Sequence, residues 1–114
     1  MPTKRNPLNL NPLQLKTLTI LQELATLEEA AERDPATGAV KLTALPHAHG
    51  DHFHVGRQMV ASADATGLSN PGVWAALERK GLVRTNFPDD VTVTPEGLNY
   101  DTGMHGAILH DGGH

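Results

Sequence analysis

The sequence predicts a small α+β domain with a long N-terminal helix and two β-hairpins. Three observations carry this prediction: residues 10–35 contain apolar positions at helical spacing, residues 40–61 alternate around a Gly-Asp turn, and residues 71–94 follow the order helix, strand, turn, strand. The chain has 114 residues, of which 39% are hydrophobic, which suits one modest core. We therefore expect one domain over residues 1–100, followed by a flexible tail over residues 101–114.

The predicted N-terminal helix begins at Pro12 and ends at Asp34-Pro35. Asn11 is a suitable N-cap residue, and proline is tolerated in the first helical turn. The apolar positions form one stripe, which is broad enough to serve either the core alone or the core and a homodimer contact through this helix. The stripe consists of Leu10, Leu13, Thr17, Ile20, Leu24, Leu27 and Ala31, widened by Leu18, Leu21 and Ala25.

The segment "HAHGDHFH", residues 47–54, holds four histidines around Gly50-Asp51, which suits a two-residue type II′ hairpin turn. This turn sets His49 opposite His52 and His47 opposite His54. Continued outward, the same hairpin would pair Lys41 with Val60. In this register the four histidines share one face, and the opposite face is apolar except for Arg57.

Histidines that are opposed in a hairpin have Cβ atoms about 4.5–5.5 Å apart, so two or three imidazoles can converge on one divalent metal ion. The residues concerned are His47, His49, His52 and His54, and we expect zinc or nickel if they bind metal; the fold itself requires no cofactor. Asp51 is placed to orient a ring rather than to bind metal. Two alternatives remain open: an ordinary polar face, and a pH-responsive surface whose neighbouring imidazoles repel one another when charged.

The third region predicts a helix over residues 71–80, with Asn70 as N-cap and Gly81 at its end. The strands "LVRTN" and "VTVT" follow, joined by a turn at residues 87–90. Thr94-Pro95-Glu96 predicts one more helical turn. This helix and hairpin make up the second half of the predicted fold.

This third region resembles the second half of a winged-helix domain. The resemblance covers about residues 60–100 and rests on "LERKGLV" leading from a helix into a hairpin that closes on "VTVTPEG". It implies binding of duplex DNA, with Asn70 and Arg79 reaching base edges and Lys80 and Arg84 holding phosphates. The net charge of −4 favours the alternative, a winged helix used for protein contact.

The segment "HAHGDH" also matches the H-x-H-x-D-H metal motif of the metallo-β-lactamase superfamily. That fold needs roughly twice this length and further ligands from later strands, so we interpret the match as local. The sequence contains no cysteine, which excludes disulfides and thiolate sites. Because the motif match is local, we expect a non-enzymatic protein. We also expect a cytoplasmic one, because no apolar segment predicts a signal peptide or a membrane span.

Overall fold

The core is built around helix α1, Pro12–Leu24. The computed structural model describes residues 6–43, 45–46, 48–86 and 90–111, with the backbone alone at residues 48, 49 and 111. The helix begins as the sequence predicts. Asn11 and Gln14 form a reciprocal capping box, and Pro12 occupies the first turn. Eight of the helix residues are buried: Leu15, Thr17, Leu18, Thr19, Ile20, Leu21, Gln22 and Leu24. Packing within this chain therefore accounts for the breadth of the apolar stripe.

The prediction that α1 continues to Asp34 is wrong. The helix ends at Leu24, where Thr26 Oγ1 donates to the carbonyl oxygen of Glu23 at 2.7 Å and the chain turns. Residues 31–33 form a strand instead, and their backbone groups hydrogen-bond to a strand at residues 40–42. Tertiary pairing thus overrides the helical spacing of Leu27 and Ala31.

Short strands in the described residues form two antiparallel sheets of four strands each. The strands are β1 Ala31–Arg33, β2 Val40–Leu42, β3 Ala48–His49, β4 His52–Val55, β5 Gln58–Ala61, β6 Val83–Asn86, β7 Asp90–Val93 and β8 His110–Asp111. Sheet A has the order β1-β2-β7-β6, and sheet B has the order β3-β4-β5-β8. The predicted α+β fold class is therefore confirmed.

The prediction of one long hairpin over residues 40–61 is wrong. Lys41 pairs with Thr92 of β7 rather than with Val60, because Val40 and Leu42 on either side bury their side chains beside Val93 and Val91. A second two-residue turn at Gly56-Arg57, where Gly56 has φ +61°, reverses the chain between β4 and β5. The histidine segment therefore belongs to a different sheet from β2.

The predicted helix in the third region is confirmed as α2, Pro71–Arg79. The side chain of Asn70 accepts a hydrogen bond from the Gly72 amide at 2.9 Å, and Trp74 is 1% exposed. The hairpin of β6 and β7 follows; residues 87–89 of its predicted turn lie outside the described residues. The predicted helical turn after β7 is helix α3, Pro95–Asn99.

The structure differs from the predicted flexible tail over residues 101–111. Helix α4, His105–Ile108, buries Ile108, and β8 pairs with β5. The amide of Gln22 joins this segment to α1: its Nε2 donates to the carbonyl oxygens of Gly97 and Tyr100, and its Oε1 lies 2.8 Å from Nε2 of His105. None of the described helices is long and apolar enough to cross a bilayer.

Candidate functional site

The tight turn at Gly50-Asp51 sets the position of the histidines. Gly50 has φ +66°, a conformation that glycine adopts without strain and that a type II′ turn requires at this position. The two flanking strands pair His49 with His52, which confirms the predicted register at this pair. The predicted partner of His54, His47, lies outside the described residues, as does the side chain of His49.

The two imidazoles of His52 and His54 meet on one face of β4. His52 and His54 are two residues apart on the strand, so their side chains point to the same side. Val55 points to the opposite side, toward the core, and is 1% exposed. The ring centroids are 4.8 Å apart, with an angle of 85° between the ring planes. The two Nε2 atoms are 3.2 Å apart, a distance at which one ring donates its Nε2–H to the Nε2 of the other.

Asp51 contacts Nδ1 of His52, the contact that an orienting role of this carboxylate requires. Its Oδ1 lies 3.3 Å from Nδ1 of His52. Because a carboxylate only accepts, this contact favours a proton on Nδ1 and leaves a lone pair on Nε2 of a neutral ring. The Asp–His pair thus aims the lone pair of His52 toward His54, an arrangement that supports metal ligation in many sites.

The separation of the two Nε2 atoms suits a shared tetrahedral metal ion. Two metal–nitrogen bonds of about 2.0–2.1 Å at a tetrahedral angle place the nitrogens about 3.3–3.4 Å apart. The observed distance is 3.2 Å. Among the histidine, aspartate and glutamate side chains that the structure describes, no group of three lies close enough to hold a metal. The described imidazoles therefore supply two ligands, and a complete site needs a donor of another kind or the side chain of His49.

Two further residues join this face, and the sequence analysis missed both. Met59 pairs with His54 across β4 and β5, and His110 pairs with Met59 across β5 and β8. The row His54–Met59–His110 therefore crosses three strands of sheet B. The place of Met59 on this face could have been predicted from Gly56, the glycine of the second turn. The pairing of His110 depends on long-range packing of the C-terminal segment and has no such local signal.

The four residues that the winged-helix resemblance selects for DNA contact do not converge on one patch. The side chain of Asn70 caps the N-terminus of α2, whereas Arg79 and Lys80 lie at the opposite end of that helix. Nζ of Lys80 donates to the carbonyl oxygen of Leu8 at 2.7 Å. Arg84 is exposed on β6 opposite Thr92, on the outer face of sheet A.

Glu78 lies among these basic residues and reduces the local positive charge. It is exposed on α2, and its Oε2 accepts a hydrogen bond from the Thr85 amide at 3.1 Å. Phosphate contacts require a continuous basic surface, because they supply most of the affinity for DNA. On this surface Arg79 and Arg84 are exposed, and the negative charge of Glu78 lies beside them.

Comparisons with known proteins give no relative from which a role could be transferred. No protein-family model matches the sequence, and neither a curated protein nor a solved structure is similar enough to count as a match. The chemistry of the site therefore has to be argued from its own residues.

Proposed function

We propose that this protein is a non-enzymatic metal-binding domain in which His52 and His54 ligate one divalent transition-metal ion through their Nε2 atoms. The observation that carries the proposal is the 3.2 Å separation of these two atoms, near the value that a shared tetrahedral ion requires. Zinc and nickel both accept imidazole ligands. Binding a metal rather than catalysing a reaction is the simplest activity that this pair supports.

The surroundings of the pair also favour a metal. Asp51 contacts Nδ1 of His52, which resembles the carboxylate–histidine pairs that raise the basicity of metal ligands. Both histidines lie on strand β4, and His52 is half-buried. The side chain of His52 therefore has few rotamers to lose when it binds a metal ion. The backbone register opposes His49 to His52, which makes His49 a candidate for a third imidazole ligand.

The test is a calorimetric titration of Zn²⁺ into chelator-stripped, tag-free protein at pH 7.5, repeated with His52→Ala and His54→Ala. We expect one ion per chain, and each substitution should weaken binding by about tenfold or more. The same titration with Ni²⁺ then ranks the two metals.

The matched control is His105→Gln, which removes a histidine from α4 instead of from sheet B and keeps an amide N–H that can donate to Oε1 of Gln22. This variant should bind zinc like the unaltered protein. If His52→Ala and His54→Ala also keep the full affinity, the proposal is wrong, and any zinc that binds does so at scattered surface histidines. Circular dichroism of each variant checks that the fold is retained.

A second candidate function is duplex DNA binding by a winged-helix domain. What favours it is topology: α2 leads directly into the β6–β7 hairpin, as the resemblance implies. A mobility-shift assay at low salt with random-sequence duplex tests it. Binding that weakens with salt and with Arg79→Ala or Arg84→Ala would support it, and no shift at low salt would exclude it.

A further inference from the structure

Met59 lies opposite His54, on the outer side of sheet B. Met59 is directly opposite His54 in the β4–β5 ladder, and opposed residues share one face with Cβ atoms about 4.5–5.5 Å apart. The next residue, Val60, is 0% exposed and points to the core, so Met59 points away from the core. An apolar side chain thus stands on the face that carries the histidines.

Met59 has the length and freedom to reach a metal held by its neighbours. Its side chain is unbranched and has three rotatable bonds that move the sulfur over several ångströms. It is half-buried, with His54 on one side and His110 of β8 on the other. Met59 is therefore neither buried in the core nor fully exposed, and its strand neighbours on the outer face are both histidines.

The donor set that results is selective. Thioether sulfur is a soft ligand that favours Cu(I), whereas imidazole accepts copper, zinc and nickel alike. Among the described histidine and acidic side chains no group of three could hold a metal, and Met59 adds a sulfur atom to the face that carries the imidazole pair. The addition of a thioether to two imidazoles would favour Cu(I) more than the two imidazoles do alone.

We infer that sheet B binds Cu(I) through Nε2 of His52, Nε2 of His54 and the sulfur of Met59. This inference rests on the proposed function, because it uses the same imidazole pair, and it adds a ligand and a preferred metal. His110, on the far side of Met59, supplies a further imidazole to the row. No electron transfer is involved; the ion is bound in the monovalent state.

The experiment is a competition between the full-length protein and a chromophoric Cu(I) chelator, under anaerobic conditions with ascorbate, compared with Zn²⁺ calorimetry. Met59→Leu should lower the Cu(I) affinity about tenfold or more and leave the Zn²⁺ affinity within about twofold, because only copper gains from the thioether. The swap nearly conserves volume and should keep the fold. X-ray absorption of the Cu(I) form should show a sulfur neighbour that Met59→Leu removes.

The control is Met104→Leu, since Met104 packs against the core and should leave both affinities unchanged. If Met59→Leu keeps the Cu(I) affinity while His54→Ala loses it, the inference fails and the proposed function stands. If His52→Ala and His54→Ala change neither metal, the proposed function fails as well. A sulfur signal that persists in Met59→Leu would also overturn the inference.

Discussion

Sheet A and sheet B are both four-stranded and antiparallel, and each buries one face, but their outer faces carry different chemistry. A row of exposed or half-exposed polar residues crosses sheet A: Glu32, Lys41, Thr92 and Arg84. In sheet B the corresponding row is His54, Met59 and His110. The first face carries charged side chains of both signs, whereas the second carries two imidazoles and a thioether.

This difference indicates which sheet serves the structure and which is available for function. Lys41 is opposed by Glu32 in the ladder, so opposite charges face each other on sheet A. On sheet B the Nε2 atoms of His52 and His54 are 3.2 Å apart and hydrogen-bond to each other, and these two atoms are the metal ligands that we propose. Substitutions on the two sheets should therefore affect different measurements.

The largest effect that we predict is on the core side of sheet A. Leu42 is 1% exposed, so Leu42→Ala should lower the free energy of unfolding by about 2–5 kcal/mol, through lost burial and the cavity left behind. The adjacent Lys41 is exposed on the outer face, and Lys41→Ala should change stability by no more than about 0.5 kcal/mol. Urea denaturation of both variants measures the contrast. Equal losses would contradict the assignment of faces.

The second largest effect that we predict is a loss of stability in the C-terminal segment, which should affect sheet B more than sheet A. Gln22 is 7% exposed and donates to the carbonyl oxygens of Gly97 and Tyr100, so Gln22→Leu leaves buried acceptors unpaired at about 1–3 kcal/mol each. The segment that it anchors continues into β8 of sheet B. Hydrogen exchange should therefore accelerate in β5 and β8 more than in β2 and β7.

The control for this variant is Glu23→Gln on the same helix. The carboxylate of Glu23 makes a longer contact, 3.6 Å from Nδ1 of His105, and is partly exposed, so its loss should cost less than about 1 kcal/mol. Uniform acceleration of exchange across both sheets in Gln22→Leu would show that the two sheets unfold as one unit. That result would weaken the contrast between them.

Local signals predicted the parts of the fold that local chemistry determines. The cap at Asn70 gave the start of α2, and the turn at Gly50-Asp51 gave the pairing of His49 with His52. The end of α1 was not predictable in the same way, because Ala31–Arg33 is a strand only when β2 is beside it, and β2 in turn needs β7 about 50 residues later in the chain.

The same distinction applies to the candidate site. His52 and His54 could be selected from the sequence, since their spacing of two on a strand sets them on one face. Met59 required recognition of a second turn at Gly56, and the alternating pattern of the longer hairpin concealed that turn. His110 joins the face only because Ile108 and Leu109 bury against the core and carry β8 to the edge of sheet B.

The smallest effect concerns the charges on sheet A. Lys41→Glu sets two carboxylates opposite each other, at position 41 and at Glu32, and should lower the free energy of unfolding by about 0.2–1 kcal/mol at low ionic strength. Lys41→Gln, which removes the charge without reversing it, should cost less. In 1 M salt the screening length falls to about 3 Å, so the gap between the two variants should close. If the difference persists in high salt, Lys41 acts through packing of its aliphatic stem. The charges of the outer row would then contribute less to the stability of sheet A than we predict.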